Sequence, residues 1–554
     1  MTDVIFISQS QMVRFEEYDK LPLDRLELFR NLVQLRSVYL DGGFRSHLDV
    51  LNLALGDPCF HQGSDAERRK LLDIWHLPGL NGVLVASQLL DSGFSTKVIN
   101  HFDAEWDRLV QAYEESSSPP LVAISTTFHL SWAEVKRITK RLLKLDPDMK
   151  ILVGGAFANE RTINGEISEF EKPMRKYGIS YLLHGFNSES DFMALVTSLR
   201  SGDGLETVPN LAWIDEGDAF RSTEKVWQKP TLGERSVLWD QLDLPFLNKT
   251  VQLRTASGCP FECAFCSYPK TAGGHFAGEV GAIEAEFERI ASLPGIEQVI
   301  FIDDTFNVPI GRFKKILRLV ERYSLQWYSF LRCQYIDEEQ TKMMKDSGCV
   351  GVYLGLESAN DAVLANMNKR ATRAQFQRGV SLLKKYEIPM LAAFVLGFPG
   401  ETEETVEENV KFIEQNEIEF YSLKEFYYMP HTSVHTKRLQ FGLKGMGNEW
   451  RHNTMTSERA TELKLEVFGR VKNSIYIDAD TSLWYIAYLR DQGYSLEQIK
   501  ASQSLINQMM ARDNADQFHD KADLLSAIQK VLLNRTTPVR RGAPAPASIV
   551  PASG

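Results

Sequence analysis

The sequence contains no apolar run that approaches the ~20 residues needed to cross a membrane. Its start, Met1 to Ile5, has neither the charged region nor the cleavage site of a signal peptide. Positive charge is also scarce, because 62 Lys and Arg residues stand against 73 Asp and Glu residues, a formal net charge of −11. Binding along nucleic acid needs clustered Lys and Arg. We therefore expect a cytoplasmic protein with no membrane and no nucleic-acid partner.

Cysteine is scarce as well, with 6 residues in a chain of 554. A disulfide framework needs a much higher density, so a reducing compartment fits best. Half of these cysteines lie together in the segment Cys259-Pro-Phe-Glu-Cys263-Ala-Phe-Cys266, directly after the apolar, β-branched run 251–255. This clustering indicates a chemical role for the three thiols.

Thiolates are typical ligands of an iron–sulfur cluster, and a cubane cluster takes four ligands. Three cysteines at spacing CxxxCxxC would leave one iron open. An open iron can chelate an amino and a carboxylate group, which S-adenosylmethionine carries. The alternatives are a zinc site and ordinary buried cysteines. Zinc usually shows paired Cys or Cys/His motifs, and the sequence has no second cluster of that kind.

The same segment, with the aromatic Phe265 before its last cysteine, resembles the signature of the radical S-adenosylmethionine superfamily. The resemblance implies that Cys259, Cys263 and Cys266 bind a 4Fe–4S cluster and that S-adenosylmethionine binds at the open iron. It also implies an electron donor of the flavodoxin or ferredoxin type.

Strand and helix patterns alternate from Leu77 onward, which predicts an α/β fold with a parallel, doubly wound (Rossmann-like) sheet over residues 1–225. Such sheets bind ligands at the carboxyl ends of their strands. The predicted strand ends carry hydroxyls and glycines, namely Ser125, Thr126, Thr127, Gly154, Gly155 and Gly185. Glycine lets a large ligand approach the backbone, and hydroxyls can bond its polar groups.

This arrangement resembles the cobalamin-binding domain that precedes many radical enzymes, which implies cobalamin on those residues. A plain Rossmann-like domain is the alternative. The DxHxxG motif that supplies a histidine to cobalt is absent, since His61 has the wrong spacing. The last turn, Gly185 to Glu189, also departs from the acidic turn of the family.

A second βα series begins near Val251 and predicts a partial (β/α)6 barrel of the TIM type over residues 250–440. We expect a linker at 226–249, a helical domain at 441–535 that covers the open side of the barrel, and a disordered tail at 536–554 that is rich in Pro, Ala and Ser. Barrel chemistry gathers at the carboxyl ends of the strands, and the cysteine segment follows the first strand.

The other strand ends carry residues that the resemblance assigns to S-adenosylmethionine. Asp303 or Asp304 would receive the amino group, and Arg332 would pair with the carboxylate. Glu357 and Ser358 resemble the ribose-binding segment, and Gly397 the adenine-contacting one. Each pattern has a structural alternative: a helix cap for the Asp pair, an ion pair for Arg332 and a turn for Gly397. Cys333 and Cys349 are expected to be ordinary buried cysteines.

Near the sixth strand, His431 stands where the family often has glycine, so we expect it to face the substrate, with a surface turn as the alternative. The substrate itself is expected between the carboxyl ends of the two sheets. Its walls would come from the loops after Asp304, Glu357 and Tyr428, with the helices after Ser457 as a lid.

The resemblance implies a cobalamin-dependent radical S-adenosylmethionine methyltransferase. Its acceptor would be an unactivated carbon, or a phosphinate phosphorus, of a small-molecule or carrier-bound substrate in antibiotic or other natural-product biosynthesis. A radical cyclase or rearrangement enzyme that transfers no methyl group is the alternative within this class. A binding protein that senses cobalamin or redox state is the alternative outside it.

Overall fold

The computed structural model describes residues 2–9, 34–56, 71–129, 131–163, 165–228, 230, 232, 237–245, 247–478, 482–514 and 521–534. The predicted disordered tail and His61 lie outside these residues. Within the described ranges, no helix combines the length and apolar character needed to cross a membrane.

The first part of the chain forms a seven-stranded sheet and a separate hairpin. Its strands are β1 (Val4–Gln9), β2 (Ser37–Leu40), β3 (Gly43–Ser46), β4 (Thr96–His101), β5 (Leu121–Ser125), β6 (Ile151–Gly154), β7 (Tyr181–Leu183), β8 (Leu211–Ile214) and β9 (Phe220–Ser222). The sheet has the order β4-β1-β5-β6-β7-β8-β9 and is parallel as far as β7. The chain changes direction across the sheet at β1 and β5, which is where a doubly wound sheet binds its ligands.

The helices of this part are α1 (His47–Ala54), α2 (Leu80–Asp91), α3 (Trp106–Glu114), α4 (Trp132–Leu145), α5 (Ala156–Arg161), α6 (Glu171–Tyr177) and α7 (Glu189–Ser201). Strand β1 shows how the sheet is covered on both faces. Ile5 and Ile7 pack into one core, whereas Val4 and Phe6 pack into another. Alternate side chains of a pleated strand point to opposite faces, so the predicted doubly wound fold is confirmed.

The second part forms a parallel sheet of the order β10-β13-β14-β15-β16-β17-β20. The strands of this part are β10 (Thr250–Leu253), β11 (Ala256–Ser257), β12 (Phe276–Ala277), β13 (Gln298–Phe301), β14 (Gln326–Leu331), β15 (Cys349–Glu357), β16 (Met390–Leu396), β17 (Phe420–Glu425), β18 (Lys444–Met446), β19 (Glu449–Arg451) and β20 (Ile475–Tyr476). The predicted six-stranded partial barrel is confirmed, and β20 extends it by one short strand.

The helices of the second part are α8 (Tyr268–Thr271), α9 (Val280–Ser292), α10 (Ile310–Val320), α11 (Glu338–Asp346), α12 (Asp361–Asn366), α13 (Arg373–Lys385), α14 (Glu403–Asn416), α15 (Arg438–Phe441), α16 (Ser457–Arg470), α17 (Ser482–Asp491), α18 (Leu496–Asn514) and α19 (Ala522–Leu533). Among the described residues, the expected helical domain at 441–535 contains four helices, and it also contains the hairpin of β18 and β19 and the short strand β20, which pairs with β17. Helix α16 thus belongs to a further βα crossover of the barrel.

The hairpin β2–β3 and helix α1 do not pack on the first sheet, although they lie within the expected domain 1–225. Val38 and Val50 are fully buried in the same core as the barrel strands. The backbone N–H of Tyr39 donates to Asp513 Oδ2 at 3.0 Å, and Lys521 Nζ donates to the Tyr39 carbonyl at 2.8 Å. This segment of the chain is therefore part of the C-terminal layer.

The described part of the expected linker bridges the two sheets. The N–H of Leu238 donates to Ser87 Oγ on α2 at 2.8 Å, and Trp239 Nε1 donates to Glu286 Oε1 on α9 at 3.3 Å. Trp239 is buried in the barrel core. The linker thus fixes helix α2 beside helix α9 and leaves a space between the carboxyl ends of the sheets.

Candidate functional site

A cavity of about 350 Å³ lies between the carboxyl ends of the two sheets. Its lining is mostly apolar, with leucine and phenylalanine side chains from the first domain. The first sheet contributes Ser125, Thr127, Gly154, Gly155 and Gly185. The barrel contributes Gln252, Arg254, Tyr268 and Ile302, and helix α17 contributes Trp484. The cavity therefore occupies the place expected for a substrate.

The walls of this cavity differ from the expected ones. The loop near Asp304 contributes through Ile302, but the described lining residues include none from the loops after Glu357 or Tyr428. The end of β10 and Trp484 take their place. The expected lid is represented by Trp484 of helix α17.

The strand ends of the first sheet divide into lining and supporting residues. Thr126 is fully buried, and its hydroxyl donates to the Gly154 carbonyl at 2.8 Å, so its predicted contact with a ligand is wrong. Gly155 has a φ of 110°, and a Cβ there would lie 3.0 Å from the Thr126 nitrogen. A Cβ at Gly185 would lie 2.9 Å from the Asn210 side chain. The backbone therefore demands glycine at 155, whereas at 185 the buried Asn210 side chain leaves no room for a Cβ.

A small polar cluster lines the edge of the cavity at the switch between β1 and β5. Asn81 Nδ2 donates to Ser125 Oγ at 2.6 Å, and the Ser125 and Thr127 hydroxyls are 3.0 Å apart. Ser8 Oγ donates to Asn81 Oδ1 at 2.9 Å. Sequence reasoning missed Ser8 and Asn81, although Ser8 lies at the end of the first predicted strand. These groups suit a ligand that carries amides on an apolar body, as cobalamin does.

Asp303 holds the base of the cysteine segment. Its Oδ1 accepts from the Thr255 N–H at 2.6 Å and from the Ala256 N–H at 3.1 Å, and its Oδ2 accepts from the Thr255 hydroxyl. Asp303 is buried, and burial raises its pKa. Its predicted contact with S-adenosylmethionine is therefore wrong, because these hydrogen bonds occupy both oxygens.

The three cysteine thiols of the segment lie near one another. Burial, with the neighbouring Cys263, Cys259 and Asp304, raises the pKa of Cys266 to about 11. Cys259 Sγ lies 3.3 Å from Thr305 Oγ1. Among the described residues, no three His, Cys, Asp or Glu side chains are arranged to hold a single metal ion. In a cubane cluster each cysteine binds a different iron, so this spacing favours a cluster over a zinc site.

Asp304 differs from Asp303 because its side chain is exposed, whereas that of Asp303 is buried. Burial of its surroundings raises its pKa to about 6, against the effects of a hydrogen bond with Tyr268 and of nearby Arg254. The Tyr268 ring packs edge-on against Phe186 of the first domain, with centroids 6.0 Å apart. Asp304 remains the candidate partner for an amino group.

Arg332 is 6% exposed and contacts a cysteine rather than open space. Its Nη2 donates to Cys263 Sγ at 2.8 Å, and its Nη1 donates to the Lys369 carbonyl at 2.9 Å. Its guanidinium carbon lies 3.6 Å from the centroid of the Phe261 ring. Arg332 thus contacts Cys263, one of the three candidate cluster ligands, where we expected it to pair with a free carboxylate.

Glu357 and Ser358 have different roles at the end of β15. Glu357 adopts a φ of 67°, which is rare for a residue with a side chain, and accepts from Lys369 Nζ at 2.8 Å. Ser358 is fully buried, and its Oγ accepts from the Asn360 N–H at 3.2 Å. The predicted ribose contact of Ser358 is therefore wrong, whereas Glu357 stays a candidate.

Gly397 at the end of β16 has a φ of 84°, and a Cβ there would lie 2.3 Å from the Trp450 ring. Packing against Trp450 therefore requires glycine, where we expected an adenine ring to require it. The Gly397 N–H donates to Glu401 Oε2 at 2.5 Å, and His452 Nε2 lies 2.9 Å from its carbonyl. Phe265, of the cysteine segment, packs edge-on against the adjacent Phe398 with centroids 6.2 Å apart.

His431 does not line the described cavity. Its Nε2 lies 3.6 Å from Glu160 Oε1 on α5, and its carbonyl accepts from Lys270 Nζ at 2.7 Å. The ring therefore lies at the contact between the barrel and the first domain, and its contact with a substrate stays a prediction. Cys333 and Cys349 are buried as predicted, and burial raises the pKa of Cys333 to about 12.

Residues 253–413 match the family model of the Radical SAM superfamily. This part of the chain is similar to the radical S-adenosylmethionine domain, in agreement with the resemblance that the cysteine segment carries. The match includes the cysteine segment and the strand ends as far as Gly397.

Two curated relatives carry methyltransferase names. The uncharacterized methyltransferase PH0819 of Pyrococcus horikoshii is 28% identical over 312 residues, which cover 54% of this chain and 65% of that protein. Bacteriochlorophyllide d C-12(1)-methyltransferase of Chlorobaculum tepidum is 28% identical over 178 residues, 31% of this chain and 39% of that protein. The chain thus spans less than two thirds of the length of either relative.

Two solved structures share the fold over most of the chain. The radical S-adenosylmethionine methyltransferase TsrM from Kitasatospora setae, with cobalamin and a 4Fe–4S cluster bound, has a TM-score of 0.52 at 21% identity and covers 65% of this chain and 74% of its own. OxsB, with aqua-cobalamin and S-adenosylmethionine bound, has a TM-score of 0.51 at 13% identity and covers 88% and 84%. The chain therefore has the fold of cobalamin-dependent radical S-adenosylmethionine enzymes, as the sequence predicted.

Proposed function

We propose that the protein is a cobalamin-dependent radical S-adenosylmethionine methyltransferase. The observation that carries this proposal is the cavity itself. One of its walls is the glycine and hydroxyl edge of a doubly wound sheet, and the opposite wall is the mouth of a radical S-adenosylmethionine barrel. A group bound on either wall can reach a substrate held between them.

The residues at the strand ends of the two sheets suit the three cofactors. Cys259, Cys263 and Cys266 would bind a 4Fe–4S cluster, since three thiolates leave one iron for S-adenosylmethionine. Asp304, Glu357 and the end of β16 would hold that ligand. The cluster of Ser125 and Thr127 with the Gly154–Gly155 backbone would hold cobalamin. Together these cofactors supply a 5′-deoxyadenosyl radical and a transferable methyl group.

The chain's own residues would position the substrate, exclude water from it and exchange a proton at the mouth of the barrel. The apolar lining keeps a radical away from solvent. Asp304, whose pKa is about 6, holds or releases a proton near neutral pH at the mouth of the barrel. A substrate of small-molecule or carrier-bound type, an electron donor of the flavodoxin type and a natural-product pathway remain parts of the proposal.

The test uses anaerobically reconstituted protein with dithionite, hydroxocobalamin and methyl-labelled S-adenosylmethionine. We expect 5′-deoxyadenosine to form and the label to pass to a compound in a cell extract. Formation of 5′-deoxyadenosine with a changed but unlabelled compound would favour the cyclase or rearrangement alternative. Absence of 5′-deoxyadenosine from iron-loaded protein would leave only the sensing alternative.

Cobalamin binding is tested separately by retention after desalting. Gly154 lines the cavity, so Gly154→Trp should fill it and abolish retention. Gly311→Trp is the matched control, because position 311 is exposed and has open space around it. If both variants retained the same amount of cobalamin, cobalamin would bind outside this cavity.

A further inference from the structure

Arg254 occupies the junction of two cavities. It follows β10 directly and lines both the main cavity and a side cavity of about 160 Å³. The side cavity is bounded by helix α9 and by Pro230, Leu232 and Val237 of the linker. The two cavities also share Leu80, Leu84, Asn187 and Glu189. A ligand in the main cavity can therefore extend past Arg254 toward the linker.

The guanidinium of Arg254 makes no hydrogen bond or ion pair with the residues that the structure describes. Arg312 nearby is different, because its Nη2 donates to the Thr255 carbonyl at 2.6 Å and to the Gly278 carbonyl at 3.0 Å. Glu189 lines the same junction and forms no ion pair within 4.0 Å with any residue that the structure describes. Glu286 of the side cavity accepts hydrogen bonds from Trp239 Nε1 and from the N–H of Val237. The positive charge of Arg254 lowers the pKa of Asp304 against the larger effect of burial, although the two side chains form no ion pair among the described residues.

An unpaired cation in a half-buried, mostly apolar site costs free energy, and such groups mark functional sites. A guanidinium presents a planar fork of donors that matches the two oxygens of a carboxylate or phosphate. The apolar lining strengthens that attraction, because it lowers the local dielectric constant. The ligand chemistry that fits Arg254 is therefore an oxyanion.

We infer that Arg254 binds a carboxylate or phosphate of a molecule held in the cavity, and so selects an anionic ligand. Two molecules of the proposed function could present this group. One is the substrate, and the other is cobalamin through its nucleotide phosphate. The identity of the molecule depends on the proposed function, but the existence of the oxyanion site does not.

The first experiment measures thermal unfolding of the full chain in increasing inorganic phosphate at constant ionic strength. Phosphate that binds the folded state raises the Tm in a saturable way. We expect this rise in the wild type and in Arg289→Gln, which removes an exposed ion pair with Asp240. In Arg254→Gln the half-saturating concentration should increase at least about tenfold. An equal response of all three proteins would overturn the inference.

The same experiment separates a binding role from a structural one. Arg254→Gln removes no hydrogen bond or ion pair with a described residue, so its Tm without phosphate should stay close to that of the wild type or exceed it. A clearly lower Tm would make Arg254 a structural residue and overturn the inference. Arg254→Lys keeps the charge but loses the planar fork, and should respond between the wild type and Arg254→Gln.

The second experiment finds the source of the oxyanion by comparing cobalamin with cobinamide, the corrinoid without the nucleotide and its phosphate. If the phosphate of cobalamin is the ligand, Arg254→Gln weakens cobalamin at least about tenfold and leaves cobinamide unchanged. If the substrate is the ligand, both corrinoids bind as in the wild type and transfer of the labelled methyl group falls. Failure of the wild type to bind either corrinoid, with a phosphate response that depends on Arg254, would refute the proposed function and leave the oxyanion site standing.

Discussion

The guanidinium of Arg332 donates a hydrogen bond to the sulfur of Cys263, with 2.8 Å between Nη2 and Sγ. The position of Arg332 is fixed, because Nη1 donates to the Lys369 carbonyl and Phe261 lies against its planar face. Lys369 in turn pairs with Glu357 at the end of β15. The third and fourth strand ends of the barrel are thereby linked to the second cysteine of the segment.

Arg332→Gln should lower the midpoint potential of the reconstituted cluster. A cation beside a ligating sulfur stabilises the reduced cluster, which carries one more negative charge, and hydrogen bonds to cluster sulfurs act in the same direction. Arg332→Lys keeps the charge and should shift the potential less. The measurement is a redox titration followed by electron paramagnetic resonance. An unchanged potential in Arg332→Gln would show that the contact does not persist once iron is bound.

Replacing Cys259, Cys263 and Cys266 together with Ala should remove the cluster. Wild-type protein prepared without oxygen should be brown and carry about four irons per chain. The triple variant should be colourless, because no other group of ligands among the described residues can retain the metal. Cys333→Ala and Cys349→Ala are controls, since both thiols are buried in the barrel core. Iron that persists in the triple variant would contradict the assignment.

Gly397→Ala should destabilise the protein by about 1–3 kcal/mol or more, because it combines a positive φ with a clash against Trp450. Gly281→Ala is the matched control. Gly281 lies in helix α9 with open space around it, so alanine there should stabilise by about 0.4–1 kcal/mol. Urea unfolding of the two variants beside the wild type measures both effects. A neutral Gly397→Ala would mean that Trp450 moves away without cost.

Glu401 should make stability depend on pH. It is fully buried, and burial raises its pKa from 4.5 to about 8. The folded state therefore keeps a proton that the unfolded state releases, so stability should fall as pH rises from about 5 to about 8, by up to about 1.4 kcal/mol per pH unit. Glu401→Gln cannot titrate and should flatten this slope in urea unfolding at several pH values. An identical slope in both proteins would assign the dependence to other groups.

The sequence was sufficient to predict which strand ends carry the site, because parallel strands gather their carboxyl ends at one edge. It was insufficient to predict which way neighbouring side chains point. Asp303 and Asp304 are adjacent, yet Asp303 is buried and supports the cysteine segment, whereas Asp304 is exposed. Thr126 was likewise indistinguishable from Thr127 in sequence. Only the packing around each side chain separates a supporting residue from a lining one.

Elements that pack against residues far away in the sequence could not be predicted for a similar reason. Strand β20 has two residues, too few for an alternating pattern, and exists because β17 offers an unpaired edge. The hairpin β2–β3 has an ordinary strand pattern, but nothing in it indicates helices α18 and α19 as its neighbours. Arg254 could have been noticed, since it is the one charged residue of the run 251–255 that predicts the first barrel strand.

The contact between Tyr39 and Asp513 joins positions that are 474 residues apart. On a ribosome that adds ~5–20 residues per second, the hairpin would wait roughly half a minute to one and a half minutes for its partner helices. During that time Val38, Leu40 and their neighbours on helix α1 lack the surface that buries them in the finished protein. The nascent chain therefore exposes this apolar segment until the helices that cover it have been synthesised, and a chaperone that shields the segment should raise the yield of folded protein.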